Sequence, residues 1–142
     1  NESSANASIN VPPGTYTLTI QGRKEHHTAT GDLDVGRSLV GTRTSNLTIS
    51  RQAGTTGAVI IDGGGIDRVF DVFDVSLSLT NLTIRNGFAL FDNSAFSGDG
   101  GAILSDTALT LNNVVLTGNS ARFGGTRMGR PAMNPATRLR HS

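Results

Sequence analysis

The sequence predicts an all-β fold: a right-handed parallel β-helix, that is a solenoid, and a fragment of a longer one. Three observations carry that expectation. First, one phrase occurs twice. Leu77-Ser-Leu-Thr-Asn-Leu-Thr-Ile-Arg-Asn-Gly87 returns as Leu109-Thr-Leu-Asn-Asn-Val-Val-Leu-Thr-Gly-Asn119, 32 residues on, which points to one unit stacked on copies of itself. Second, the apolar residues are mostly Leu, Ile and Val in short runs separated by Gly, Asn, Asp, Ser and Thr, the pattern of short strands and tight turns. Third, no stretch long enough for a helix shows the apolar period of about 3.6 residues that an amphipathic helix needs.

The elements follow in order. Residues 1–8 are small and polar and read as a disordered lead-in. Residues 9–125 read as the coils. Pro12-Pro13-Gly14 is a turn, and Tyr16, Leu18 and Ile20 alternate with Thr17 and Thr19 as a strand with one buried face. The polar segment 21–31 is an exposed excursion. Strand-like runs then come at 33–35, 39–40, 47–49, 59–61, 69–72, 77–79, 82–84, 102–104, 109–111 and 114–116. Residues 88–101 interrupt them with Phe88, Phe91 and Phe96 among Asp, Asn, Ser and Gly, an insertion from one coil corner. Residues 126–142 hold both Met and four Arg without alternation and read as a disordered basic tail.

An antiparallel sandwich competes with the solenoid. Asp62-Gly63 and Asn86-Gly87 are hairpin-type dipeptides, but the second ends a duplicated phrase instead of joining mirror-image strands. Runs of about three residues suit one face of a coil, with coils stacked at the strand spacing of about 4.8 Å. Asn81 and Asn113 hold matching places in the two phrases and are the expected rungs of an amide ladder. The expected core is Leu18, Ile20, Leu47, Ile49, Ile60, Val69, Val72, Leu77, Leu79, Leu82, Ile84, Ile103, Leu109, Leu111, Val114 and Leu116.

Composition narrows the function. The 142 residues include 18 Gly and neither Cys nor Trp, so disulfides and thiolate metal sites are excluded. No apolar run approaches the roughly 18 residues that span a bilayer as a helix. The net charge of +1 hides a split: residues 1–106 carry seven basic and eleven acidic residues, and residues 107–142 carry five Arg and no acid. The basic segment lacks interleaved aromatics for base stacking, which argues against nucleic acid.

Val11-Pro-Pro-Gly-Thr-Tyr-Thr-Leu-Thr-Ile20, Thr30-Gly-Asp-Leu-Asp-Val35, Ile61-Asp-Gly-Gly-Gly-Ile-Asp-Arg-Val-Phe-Asp-Val72, Leu82-Thr-Ile-Arg-Asn-Gly87, Gly100-Gly-Ala-Ile103, Leu109-Thr-Leu-Asn-Asn-Val114 and Gly118-Asn-Ser-Ala121 occur in an order that resembles bacterial right-handed parallel β-helix surface proteins. The nearest group is the one whose precursors carry a CSLREA-type segment. The chlamydial polymorphic outer-membrane proteins and the pectin-lyase-like superfamily are similar more loosely. The resemblance covers roughly residues 9–125. It implies a secreted or cell-surface repetitive protein with an adhesin-like role, whose partner is a surface ligand or a polysaccharide. The N-terminal capping helix of such proteins and their later coils have no counterpart here, which implies open solenoid ends and self-association through them.

Because the pectin-lyase-like superfamily includes enzymes, the acids have to be weighed. Asp62, Asp67, Asp71 and Asp74 cluster around Arg68. They read either as a Ca²⁺ site or acid pair, with Arg68 as the proton-abstracting base of a polysaccharide lyase, or as turn and solvent-facing residues. Catalytic sites on stacked coils draw on several coils, and these acids fall in one or two, so the second reading is preferred. His26-His27 is solvated loop, because adjacent strand residues point to opposite faces and no third metal ligand is near. The expectation is therefore a non-enzymatic surface module with no metal or other cofactor, and Phe88, Phe91 and Phe96 as its binding residues. A polysaccharide lyase or glycoside hydrolase using Arg68, Asp67, Asp71 and Asp74 is the alternative.

Overall fold

A computed structural model describes residues 6–22, 31–36, 45–90, 98–121 and 126–128. Among these the chain is all-β, without a helix. Twelve strands run β1 (Asn6–Val11), β2 (Gly14–Thr17), β3 (Leu33–Gly36), β4 (Ser45–Arg51), β5 (Val59–Asp62), β6 (Phe70–Phe73), β7 (Val75–Arg85), β8 (Phe88–Ala89), β9 (Ile103–Ser105), β10 (Leu109–Thr117), β11 (Ser120–Ala121) and β12 (Thr126–Met128). β1 begins at Asn6, so residues 6–8 are strand where a lead-in was expected. Likewise β12 lies inside the stretch read as tail, and β8 inside the stretch read as insertion.

Every pairing is parallel. Asn6 pairs with Asn46, Ser45 with Val75, and Leu77 with Leu109. The chain therefore returns to the same line after 40, 30 and 32 residues. β1, β4, β7 and β10 form one column of strands. β2, β5 and the second halves of β7 and β10 form a second. β3, β6, β9 and β12 form a third sheet, and β8 pairs with β11. The four layers are thus β1–β3, β4–β6, β7–β9 and β10–β12.

β7 belongs to two columns because it bends. Its first half pairs with β4 and its second half with β5. At the bend stands Asn81, in the left-handed region at φ 57°, with Asn113 at φ 51° at the same place in β10. Asn tolerates this backbone better than most residues. Nδ2 of Asn113 donates to Oδ1 of Asn81 at 2.7 Å, so the two amides stack from layer to layer. Side-chain ladders continue outward: Asn46 Nδ2 donates to Asn6 Oδ1 at 2.9 Å, and Ser50 Oγ to Asn10 Oδ1 at 3.2 Å. Asn81→Ala should lower stability by about 1–3 kcal/mol, because Ala is strained at positive φ and loses the amide bond. Asn81→Gly, free of that strain, should lose less than half as much in urea-denaturation midpoint.

The core lies between the columns. Ile49, Val59, Ile61, Val69, Phe70, Val72, Leu77, Leu79, Leu82, Ile84, Ala102, Ile103 and Leu109 form one buried cluster, with Val11, Leu18, Val35, Leu47 and Val114 packed against it. Four expected core residues lie elsewhere. Ile60 is half-buried, and its neighbours Val59 and Ile61 are the inward residues. Ile20 is exposed: β2 stops at Thr17, and the chain leaves the stack after Leu18 N donates to the Asp62 carbonyl. Leu111 and Leu116 sit at inward register positions, beside Leu79 and Ile84. They are nevertheless exposed, since no described strand covers β10.

Candidate functional site

The candidate acids of 67–74 do not converge. Arg68 and Asp71 are buried and paired, Nη1 to Oδ2 at 3.4 Å. Asp67 Oδ1 caps the Arg68 amide at 2.8 Å, and its carbonyl accepts from Phe88 N. Asp74 is exposed, at a corner with φ 62°, where its amide donates to Asp106 Oδ1. Arg68 is therefore enclosed, where a lyase base needs to face substrate. Asp71 corrects the sequence reading in the other direction. It was expected to face solvent and is 1% exposed, because both faces of β6 are covered.

The structure brings Asp71 instead to Asp32 and Asp34, two residues that sequence reasoning passed over. Asp34 pairs in register with Asp71, and oxygens of Asp32, Asp34 and Asp71 all lie within 4.8 Å of one another. Burial, and then the charges of Asp71, Asp67 and Asp34, push the Asp32 carboxyl up to about 7. Such a group shares a proton with its neighbours or accepts a cation. Its all-oxygen donor set suits a hard ion such as Ca²⁺, and Arg68 already balances one of the charges.

A second place lies on the outer corner that follows β5, β7 and β10. Asp62 organises it. Its carboxylate accepts from Gly64 N at 2.9 Å, from Arg85 Nε at 2.7 Å, and from Asn86 Nδ2 at 3.1 Å to each oxygen. The Gly64 amide, and then Arg85 and Asn86, hold this carboxyl below its ordinary range against the opposing effect of burial. The turn reading of Asp62 fits this geometry. One layer on, Asn119 Oδ1 accepts from Gly87 N at 2.8 Å while its Nδ2 donates to the Ile84 carbonyl at 3.0 Å.

These bonds hold open a groove of about 520 Å³ lined by Gly64, Gly65, Asn86, Gly87, Phe88, Gly118 and Ser120. Its floor is mostly glycine backbone, with Phe88 beside it. Of the three aromatic residues expected to bind, Phe88 reaches this groove, and Phe91 and Phe96 lie outside the described residues. The glycines were visible in the sequence as turn residues. That Gly64, Asn86 and Gly118 come from three successive layers to one spot follows from pairings such as Asp62 with Arg85 and Thr117 with Arg85.

Comparison of the chain with protein-family models, with curated proteins and with solved structures gives no significant match.

Proposed function

We propose that the chain is a right-handed parallel β-helix module of a secreted or cell-surface protein, and that it binds a polysaccharide on its outer corner without cleaving it. Support for the hand comes from the rule that parallel strands in one sheet are joined by right-handed crossovers in about 98% of cases. The observation that carries the binding role is the groove, a shelf of backbone amides and carbonyls from three layers with the Phe88 ring at its side. Polar backbone groups can meet sugar hydroxyls there, and an aromatic ring offers a flat apolar face to the C–H side of a pyranose.

The carboxylates Asp32, Asp34 and Asp71 are what favours a glycoside hydrolase instead. The two acids of such an enzyme stand about 5 Å or more apart with the sugar between them. Here the three crowd one another, and Asp71 is enclosed. This supports the adhesin-like reading. Phe88→Ala should abolish most retention of the chain on insoluble polysaccharides in a co-sedimentation assay, by about tenfold or more in affinity. With polygalacturonate and Ca²⁺, neither the wild type nor Arg68→Ala should release unsaturated product. Product formation that Arg68→Ala removes would replace the binding module with a lyase.

A further inference from the structure

In the groove on the flank of the stack, the hydrogen-bond donors are engaged inside the protein and the acceptors are not. Six of its seven described lining residues have a backbone N–H that already donates within the fold. Gly64 N donates to Asp62 Oδ1, Gly65 N to the Asn86 carbonyl, and Asn86 N to the Thr117 carbonyl. Gly87 N donates to Asn119 Oδ1, Phe88 N to the Asp67 carbonyl, and Ser120 N to the Gly87 carbonyl. The Asn86 side chain follows the same rule, since its Nδ2 donates to both oxygens of Asp62.

That bond turns the other end of the Asn86 amide outward. Asn86 Oδ1 faces Gly118, 3.0 Å from where a Gly118 Cβ would stand. Among the described residues, no donor reaches this oxygen or the carbonyls of Gly64, Gly65 and Gly118.

Charge points the same way. Arg85 is held by Asp62 at 2.7 Å, and Arg68 is enclosed against Asp71. Asp67, half-buried, adjoins the groove through its bond to Phe88 N. Among the described residues no cation lines the groove. A carboxylate or sulfate group brings acceptors alone and needs N–H donors or a cation to meet it. A hydroxyl donates as well as accepts, so it can satisfy the oxygens that border this groove.

We propose that the groove selects uncharged, hydroxyl-bearing glycans and rejects those carrying uronate or sulfate groups. Ligand hydroxyls donate to Asn86 Oδ1 and to the Gly64, Gly65 and Gly118 carbonyls, while the Phe88 ring carries one face of a pyranose. This selectivity rests on the glycan-binding role proposed above and names the ligand class for it.

Beads coated with cellulose, mannan or amylose test it, each beside the same polymer after oxidation of its primary alcohols to carboxylates. Each pair keeps ring and linkage and differs in charge. The wild type should be retained on at least one neutral polymer and should bind its oxidised form at least about tenfold more weakly. Retention on the neutral polymer should persist in added NaCl, because no ion pair is there to be screened. Ser120 is an exposed lining residue, so Ser120→Arg supplies the missing cationic donor and should narrow the gap at least about threefold.

Equal or tighter binding of an oxidised polymer by the wild type would overturn the selectivity and leave the glycan role standing. A Ser120→Arg protein that folds, by circular dichroism, and does not narrow the gap would overturn it too, since missing donors would then not be the cause. If that variant does not fold, the wild-type pairs decide alone. Retention on none of these surfaces would remove the glycan role, and the selectivity with it.

Discussion

Gly87→Ala should cost about 3 kcal/mol or more, enough to unfold a marginal domain. A Cβ on Gly87 would overlap the carbonyl oxygen of Gly101 and come 3.1 Å from Asn119 Oδ1. Gly87 is not among the glycines at positive φ, so its backbone would accept alanine; the obstacle is the Gly101 main chain, which crosses close to it within the same layer. Main chain cannot swing aside as a side chain can, so the overlap has to be relieved by parting the Gly87 corner from the Gly101 segment. Overpacking against side chains costs about 1–3 kcal/mol, and this case belongs at the upper end or above. Gly54 gives the contrast. It stands at φ 75° with open space around its missing Cβ, so Gly54→Ala should cost only the left-handed penalty of about 1–2 kcal/mol. Urea-unfolding midpoints of the two variants test this, and equal losses would refute close backbone approach as the cause.

The second large effect is on pH. The Asp32 carboxyl titrates at the ordinary 3.8 in the unfolded chain and at about 7 in the folded one. Below about pH 4 both states hold the proton and the group contributes nothing. Between 4 and 7 the folded state keeps a proton that the unfolded chain has released, so stability falls as pH rises. Above 7 the penalty is complete. A shift of about three units corresponds to at most about 4 kcal/mol. Asp32 is partly open to solvent, so about half of that is expected. Asp62 acts with the opposite sign. Its lowered value gives stability present above 3.8 and lost as pH falls through the folded value. The chain should therefore be most stable near pH 4–5 and weaken toward pH 8. Asp32→Asn should flatten that decline, and unfolding midpoints at about pH 5 and about pH 8 for both proteins give the comparison.

The sequence carried the repeat most clearly. The phrase at 77–87 and its copy at 109–119 lie side by side, Leu77 against Leu109 and Leu82 against Val114. The matched Asn81 and Asn113 are hydrogen-bonded at the bend. What could not be read had physical reasons. Val59-Ile60-Ile61 is apolar throughout and has no phase, so nothing in the run distinguishes inward from outward residues. Leu111 and Leu116 follow the inward period, but a period gives the direction of a side chain and not the presence of a layer above it. The Asp32–Asp34–Asp71 cluster depends on a pairing 37 residues apart between β3 and β6, and no repeated phrase announces it. Arg68 drew attention as the one cation among acids, and its burial against Asp71 follows from a register the local sequence does not contain.

The connection between the first two columns differs in every early layer. It is Pro12-Pro13 between β1 and β2, residues 52–58 between β4 and β5, and a single Asn in β7 and in β10. The strands on either side keep register throughout. This corner is therefore a place where chain length is uncoupled from architecture. Doubling a flexible loop costs only about 0.6 kcal/mol in closure entropy, so a foreign peptide spliced between Gly54 and Thr55 would project from the stack and leave its cross-section unchanged. The molecule carries its own graft site for epitopes or binding loops, at a position where its second layer already tolerates seven residues in place of one.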